Sequence, residues 1–220
     1  MTRLSKYKWS LLILVLQLAA VIWFARALPA DAQVPMHWNI HNQIDGWSGK
    51  TFGLLWGLGL NLILFLMIFL MPWYSPWYRQ YRDRNEGVLP ALTAVLVLFF
   101  ALISVYSLAI ARWGDLKGVN VLMLLMGLLF VFIGNLLPKV PKNFFVGYKT
   151  PWTLANETVW DKTHRLGGIL FVISGLILIL KGFILLGNSG FQVVSAAFAF
   201  GLALYPVLHS FILFKRLDKD

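Results

Sequence analysis

Residues Leu137–Gly168 read LPKVPKNFFVGYKTPWTLANETVWDKTHRLGG and form the longest polar interval of a chain that is otherwise mostly apolar. The interval contains five basic side chains, two acidic side chains and two tryptophans: Lys139, Lys142, Lys149, Lys162, Arg165, Glu157, Asp161, Trp152 and Trp160. A connector between two membrane helices can be much shorter and less aromatic. Two interpretations are therefore open: a basic, tryptophan-rich segment at a membrane surface, or an ordered functional unit.

Local signals within the interval favour order. Thr150-Pro151 predicts an extended backbone, because the proline ring disfavours the helical conformation at the preceding residue. A helix is expected after it, capped by Thr153 or Asn156. Trp160 and His164 have the i, i+4 spacing that places two side chains on one helical face. A second i, i+4 pair, Asp161 and Arg165, predicts an ion pair on the adjacent face.

Two segments of this interval resemble the signature of the SdpI family. They are Asn143-x-x-x-Gly147-x-Lys149-Thr150-Pro151-Trp152-Thr153-Leu154 and Trp160-x-x-Thr163-His164-Arg165-x-Gly167-Gly168. The family comprises bacterial membrane proteins named after an immunity protein against a secreted killing peptide, and its founding member also holds a transcriptional repressor at the membrane. The resemblance implies a binding role on the cytoplasmic side for Asn143, Gly147, Lys149, Thr150, Pro151, Trp152, Trp160, His164 and Arg165.

The rest of the chain predicts a membrane protein. Of the 220 residues, 59% are hydrophobic and 13% are charged, which is far more apolar than a soluble domain. About 20 apolar residues span a hydrocarbon core of roughly 30 Å. Six stretches qualify: Trp9–Ala27, Thr51–Pro72, Leu89–Ala111, Val119–Leu137, Leu166–Leu186 and Phe191–Phe214. The predicted fold class is all-α, a polytopic integral membrane protein with a six-helix transmembrane bundle.

The distribution of basic residues predicts the orientation of the bundle. With the N-terminus in the cytoplasm, 14 Lys and Arg residues lie inside and 5 lie outside, as the positive-inside rule requires. Both termini and loop 137–165 are therefore expected in the cytoplasm, and loop 28–50 outside. The first stretch has the basic start of a signal peptide. Its length and its terminal Trp23-Phe24 favour a retained helix instead.

Loop 28–50 carries a second pattern. Pro35-x-His37-Trp38-Asn39, followed by Asp45-Gly46-Trp47 and Lys50, resembles the domain of unknown function DUF1648, which often precedes the SdpI region. The resemblance implies an extracytoplasmic binding role for Pro35, His37, Trp38, Asn39, Asp45 and Lys50. Asp45-Gly46 predicts a turn, and the group is expected to cap the bundle. A zinc site at His37, His41 and Asp45 is the alternative, and we do not expect a metal or another cofactor.

Small and polar residues within the apolar stretches are interpreted as packing elements. Glycines recur every seven residues in two stretches and predict close, static helix contacts: Gly127, Gly134, Gly168, Gly175 and Gly182. The polar residues inside the spans are expected to hydrogen-bond between helices: Gln17, Asn61, Ser104 and Ser107.

These patterns favour a non-enzymatic protein with two regions in one bundle. The regions are residues 1–72, DUF1648-like, and residues 73–220, SdpI-like. The expected partners are anionic lipids, attracted by a net charge of +10, a secreted peptide toxin outside and a cytosolic repressor inside, without direct binding of nucleic acid. The alternative is a membrane enzyme or transporter for a lipid or small anionic solute, with His164 as acid/base and with Lys149 and Arg165 gripping the anion.

Overall fold

The computed structural model describes residues 2–39, 43–114, 120–183 and 189–217. Within them, six helices are long and apolar enough to cross a membrane: α2 (Lys8–Ala27), α3 (Lys50–Phe69), α6 (Arg82–Trp113), α7 (Val121–Leu136), α9 (Glu157–Phe183) and α10 (Ser189–Leu217). The shorter helices are α1 (Arg3–Lys6), α4 (Met71–Tyr74), α5 (Pro76–Gln80) and α8 (Pro151–Ala155). Each spanning helix overlaps one predicted stretch, which confirms a multi-pass membrane protein with an α-helical bundle.

The first three spanning helices pack around a buried amide pair. Asn61 Nδ2 on α3 donates to Gln17 Oε1 on α2 at 2.8 Å and to the Val97 carbonyl oxygen on α6 at 2.9 Å. All three residues are almost fully buried. Because lipid offers no competing partner, such a bond contributes about 0.6–2 kcal/mol to helix association. The expected interhelical role of Gln17 and Asn61 is confirmed.

Helices α7 and α9 pack backbone against backbone. A Cβ built on Gly134 would lie 2.7 Å from the Gly168 carbonyl oxygen, and one built on Gly127 would lie 2.6 Å from that of Gly175. These separations are shorter than real Cβ contacts, so only glycine lets the helices approach this closely. The predicted glycine packing is confirmed for these two pairs.

A β-hairpin joins α2 to α3 and was not predicted. Strands β1 (Gln33–Trp38) and β2 (Ile44–Gly49) pair antiparallel, with register irregularities around His37. The predicted turn at Asp45-Gly46 is wrong, because both residues lie inside β2, with Gly46 opposite His37. A Cβ on Gly46 would lie 2.8 Å from His37 Cβ. The glycine therefore permits a bulged pairing.

The interval between α3 and α6 is largely helical. Helix α6 begins at Arg82, seven residues before the predicted Leu89. Its first turns are fixed by Glu86, whose carboxylate lies 2.5 Å from Lys6 Nζ and 3.0 Å from Arg82 Nε. Arg84 reaches α9, with its guanidinium 3.8 Å from the Asp161 carboxylate. These charged contacts fasten the end of the bundle opposite the hairpin.

Candidate functional site

Asn143 organises the turn between α7 and α8. Its Oδ1 accepts from the backbone N–H groups of Phe145 and Val146, both at 2.7 Å. Its Nδ2 donates to the Pro141 carbonyl oxygen at 2.7 Å and to that of Val146 at 3.2 Å. The side chain is almost fully buried. A single buried amide thus satisfies backbone groups of a turn whose central residues, Phe144 and Phe145, are exposed.

Gly147 brings this turn against His164 on α9. Its φ of +111° favours glycine, and a Cβ at this position would overlap His164 Nε2. The backbone N–H of Tyr148 donates to His164 Nε2 at 3.0 Å, and His164 Nδ1 lies 2.8 Å from the Trp160 carbonyl oxygen. Because the backbone N–H can only donate, Nε2 accepts and the neutral ring carries its proton on Nδ1.

Trp160 packs against His164 and supports its contact with Tyr148. Its side chain is fully buried and stacks on His164, with ring centroids 3.9 Å apart and an interplanar angle of 22°. Its indole Nε1 donates to the Val140 carbonyl oxygen at 3.0 Å. The prediction that Trp160 and His164 share a helical face is confirmed, and this face is turned towards the interior of the protein.

Tyr148 ties the turn to the last helix. Its hydroxyl donates to the Ala203 carbonyl oxygen on α10 at 2.6 Å. Burial raises the pKa of the Tyr148 hydroxyl above its ordinary value, so the group remains a neutral donor. A Cβ on Gly167 would overlap the Tyr148 ring, which explains the small residue at that position on α9.

The Thr150-Pro151 segment starts α8. Thr150 Oγ1 accepts from the backbone N–H of Thr153 at 3.2 Å, and Thr153 Oγ1 accepts from the backbone N–H of Thr150 at 2.9 Å. This reciprocal pair caps the helix from both residues. Trp152 donates its indole N–H to the Ser210 hydroxyl on α10.

The second cap lies at the start of α9. Asn156 Oδ1 accepts from the backbone N–H of Val159 at 3.1 Å, so Thr150 and Asn156 cap two successive helices. The predicted Asp161–Arg165 pair is wrong: Asp161 lies against Arg84 instead. Arg84 reaches this carboxylate from α6, an element distant in sequence.

Lys149 and Arg165 are exposed, whereas His164 is almost fully buried. Lys149 Nζ donates to the Phe145 carbonyl oxygen at 3.1 Å, and no contact of Arg165 with the described residues brings it to His164. Both ring nitrogens of His164 are already engaged. The three side chains therefore form no common pocket of the kind that the enzyme or transporter alternative requires.

The second motif lies at the hairpin. His37 Nδ1 lies 2.5 Å from Asp45 Oδ1, and Asn39 Nδ2 donates to Gln43 Oε1 at 3.1 Å across the reversal of the chain. Trp38 stacks on Tyr106 of α6, with ring centroids 6.3 Å apart. These contacts join His37 to Asp45 and place the hairpin on the bundle.

The remaining residues of this motif fix its ends. Lys50 Nζ donates to the Leu28 carbonyl oxygen at 2.7 Å, closing the base of the hairpin, and Pro35 is buried. His41 lies outside the described residues. Among the residues that the structure describes, no three His, Cys, Asp or Glu side chains are grouped as metal ligands.

Sequence reasoning missed Tyr148, Arg84 and Ser210. Their partners lie far away in sequence, 55 residues in the case of Tyr148 and Ala203. The signal that could have found Tyr148 is its place between Gly147 and Lys149, both of which belong to the first motif. Arg84 and Ser210 carry no such signal.

Comparison with known proteins finds two families that match parts of this chain. The SdpI/YfhL protein family matches residues 139–210, and the domain of unknown function DUF1648 matches residues 12–62. Immunity protein SdpI of Bacillus subtilis (strain 168) is 33% identical over 57 residues, which cover 26% of this chain and 28% of that relative. No solved structure matches the chain. The chain is therefore similar to the SdpI/YfhL protein family over residues 139–210 and to the DUF1648 domain over residues 12–62.

Proposed function

We propose that this protein resides in the plasma membrane of a bacterium and protects the cell against a secreted antimicrobial peptide. The proposal extends to this chain what the name of its relative, Immunity protein SdpI, says of that protein. The peptide would meet the hairpin end of the bundle, and loop 137–165 would face the cytoplasm.

One observation carries the proposal: the interval matched to the family is an ordered unit rather than a basic linker. Asn143, Trp160 and His164 are buried and hydrogen-bonded, while Lys149 and Arg165 remain on the surface. A buried polar network whose hydrogen bonds are satisfied makes the surrounding backbone rigid. Here it holds an exposed positive surface, which fits a docking role better than chemistry at His164.

The experiment is a toxin challenge in a sensitive bacterial host. Cells expressing this chain are compared with cells expressing an unrelated six-helix membrane protein at equal membrane abundance. Both cultures receive the same purified killing peptide, of the kind against which the protein that names the SdpI family gives immunity. We expect a clearly larger fraction of cells to survive when they express this chain than when they express the control. Equal survival of the two strains would refute protection against this peptide.

Variants test whether the exposed cations act as specific contacts. Arg165→Lys should reduce protection although the charge is kept, because only the planar guanidinium makes bidentate contacts with carboxylate or phosphate. Lys139 and Lys162 are not among the motif residues of the interval, so we expect Lys139→Ala and Lys162→Ala to protect as well as the wild type. If Arg165→Ala proves as harmless as Lys139→Ala, the interval acts only as a basic linker.

We further propose that the Lys149 and Arg165 surface holds a cytosolic repressor at the membrane when toxin is present. An acidic protein surface complements these side chains. The test is affinity capture of the tagged chain from cells with and without toxin, with Arg165→Ala as the control. The expected result is a transcriptional regulator retained only with toxin and only by the wild type. A regulator captured equally by Arg165→Ala would contradict docking at this surface.

A further inference from the structure

An apolar groove of about 310 Å³ runs along the outside of the bundle between α2, α6 and α7. Its walls include Trp9 and Ile13 on α2, Leu98 and Leu102 on α6, and Phe132 on α7. Trp9, Leu98, Leu102 and Phe132 are between 41% and 60% exposed, so the groove opens sideways. Because these three helices cross the membrane, the groove opens towards the hydrocarbon of the bilayer.

A second cavity, of about 370 Å³, adjoins the groove at the end of the bundle opposite the hairpin. Trp9 and Ala94 line both spaces. The other walls of the second cavity include Lys6, Glu86 and the small Gly87. The two spaces therefore form one site, with an apolar part along the spanning helices and a charged part at their end.

One face of α6 connects the two parts. Steps of three or four residues place five wall residues on this face: Gly87, Ala91, Ala94, Leu98 and Leu102. From residue 94 to residue 102 the helix rises by about 12 Å, close to the roughly 15 Å that one leaflet contributes to the hydrocarbon core. The length of the groove thus matches a single acyl chain of the leaflet at this end.

The charged part of the site favours an anion. The two carboxylate oxygens of Glu86 are already bound, one to Lys6 Nζ at 2.5 Å and the other to Arg82 Nε at 3.0 Å. Among the described residues, Glu86 is the one hydrogen-bond partner of the Lys6 ammonium, which has three N–H donors. Lys8 is exposed, and its Nζ lies 5.3 Å from the centroid of the Trp9 ring. Three cations against one carboxylate leave this part positive.

We propose that this site binds one anionic phospholipid of the leaflet at this end of the bundle. The lipid phosphate contacts Lys6 and Lys8 at the level of the Trp9 ring, and one acyl chain lies in the groove. An extended peptide would leave backbone N–H and C=O groups unpaired against the apolar walls, which is unfavourable in hydrocarbon. The inference goes beyond the proposed protection and does not depend on it, since no toxin takes part.

The test titrates two lipids with identical acyl chains, palmitoyl-oleoyl phosphatidylglycerol and palmitoyl-oleoyl phosphatidylcholine. The full chain is labelled with 5-fluorotryptophan in micelles of an uncharged detergent, and the ¹⁹F resonances of Trp9 and Trp113 are assigned with Trp9→Phe and Trp113→Phe. Phosphatidylglycerol should shift the Trp9 resonance saturably and leave that of Trp113, at the hairpin end of α6, unchanged. It should bind at least about fivefold more tightly than phosphatidylcholine, the effect of one basic residue on an anionic lipid.

Two pairs of variants test the two parts of the site. Lys8→Gln should weaken the binding of phosphatidylglycerol about fivefold, whereas Lys215→Gln, which removes an exposed lysine beside the Phe211 ring on α10, should not. Ala94→Phe fills the groove and should weaken both lipids by a similar factor. Gly201→Phe adds the same ring on α10, where a Cβ meets nothing within 4 Å, and both lipids should bind it as they bind the wild type.

The proposal is overturned if the Trp9 shift does not saturate, if the two lipids bind equally, or if Lys8→Gln has no more effect than Lys215→Gln. Unchanged binding of both lipids to Ala94→Phe would also overturn it. A Trp9 resonance that responds to protein concentration and not to lipid would show that a second copy of the chain covers the groove, and would reject the lipid. Because Lys8 is exposed, its variant decides the matter even if Ala94→Phe fails to fold.

Discussion

At the residue scale, His164 joins the two segments of the family motif. It accepts from Tyr148, donates to the Trp160 carbonyl oxygen and stacks on the Trp160 ring. Each contact uses a different part of the imidazole, so the ring has one orientation and one neutral tautomer. Its position fixes the backbone of Gly147, and through it the turn that presents Lys149.

Gly147→Ala should destabilise the protein by about 2 kcal/mol or more, because the positive φ strains any side chain and the new Cβ would overlap His164. The matched control is Gly87→Ala, where a Cβ meets nothing within 4 Å. Reversible unfolding in mixed micelles measures both variants. Equal stability of the two would contradict the close contact between the turn and α9.

The sequence predicted part of this site. The i, i+4 spacing placed Trp160 and His164 on one face, and the Thr150-Pro151 signal marked the start of a helix. Periodicity does not say which face points inward, so the sequence could not show that His164 is buried while Arg165 is exposed. Nor could it pair Asp161 with Arg84, because long-range ion pairs leave no local pattern.

At the element scale, two kinds of contact join the helices. Helices α7 and α9 meet through glycines, whereas α2, α3 and α6 meet through the Gln17–Asn61 pair. Both kinds of contact are typical of helices in a bilayer, because the hydrophobic effect does not drive helices together in lipid. Close packing at small residues and interhelical hydrogen bonds stabilise the association instead. The recurrence of glycines every seven residues predicted close packing by α7 and by α9, but not that these two helices contact each other.

Gly134→Ala should weaken the protein by about 1–3 kcal/mol, because overpacking of this contact forces a backbone shift. Its Cβ would lie 2.7 Å from the Gly168 carbonyl oxygen and 2.9 Å from the Val172 nitrogen, neither of which can rotate away. Gly201→Ala on α10 meets nothing within 4 Å and should change stability by less than about 0.5 kcal/mol. Unfolding in mixed micelles again compares the two, and a neutral Gly134→Ala would rule out close static packing.

The hairpin is the element that we did not predict from the sequence. Its strands are six residues each, and bulges around His37 break the alternation that marks a strand. The Asp45-Gly46 signal pointed to a turn, whereas the glycine serves a close approach between paired strands. Short, irregular strands beside long apolar helices give little periodicity to detect.

At the scale of the whole molecule, the two motifs lie at opposite ends of the bundle. The hairpin joins the ends of α2 and α3, and the turn around Asn143 lies near the end at which α6 begins. The hydropathy pattern was sufficient to predict six spanning helices, because about 20 apolar residues are a strong signal. The 14-to-5 distribution of basic residues predicts that the hairpin faces outward and loop 137–165 faces the cytoplasm.

The proposed protection requires this arrangement, and cysteine labelling tests it most directly. The chain has no cysteine, so Gly49→Cys and Lys162→Cys each introduce a unique thiol at an exposed position beside one motif. A membrane-impermeant maleimide is applied to intact cells and to permeabilised cells. We predict that Gly49→Cys is labelled in intact cells and that Lys162→Cys is labelled only after permeabilisation. Labelling of both positions in intact cells, or the reverse pattern, would contradict the account.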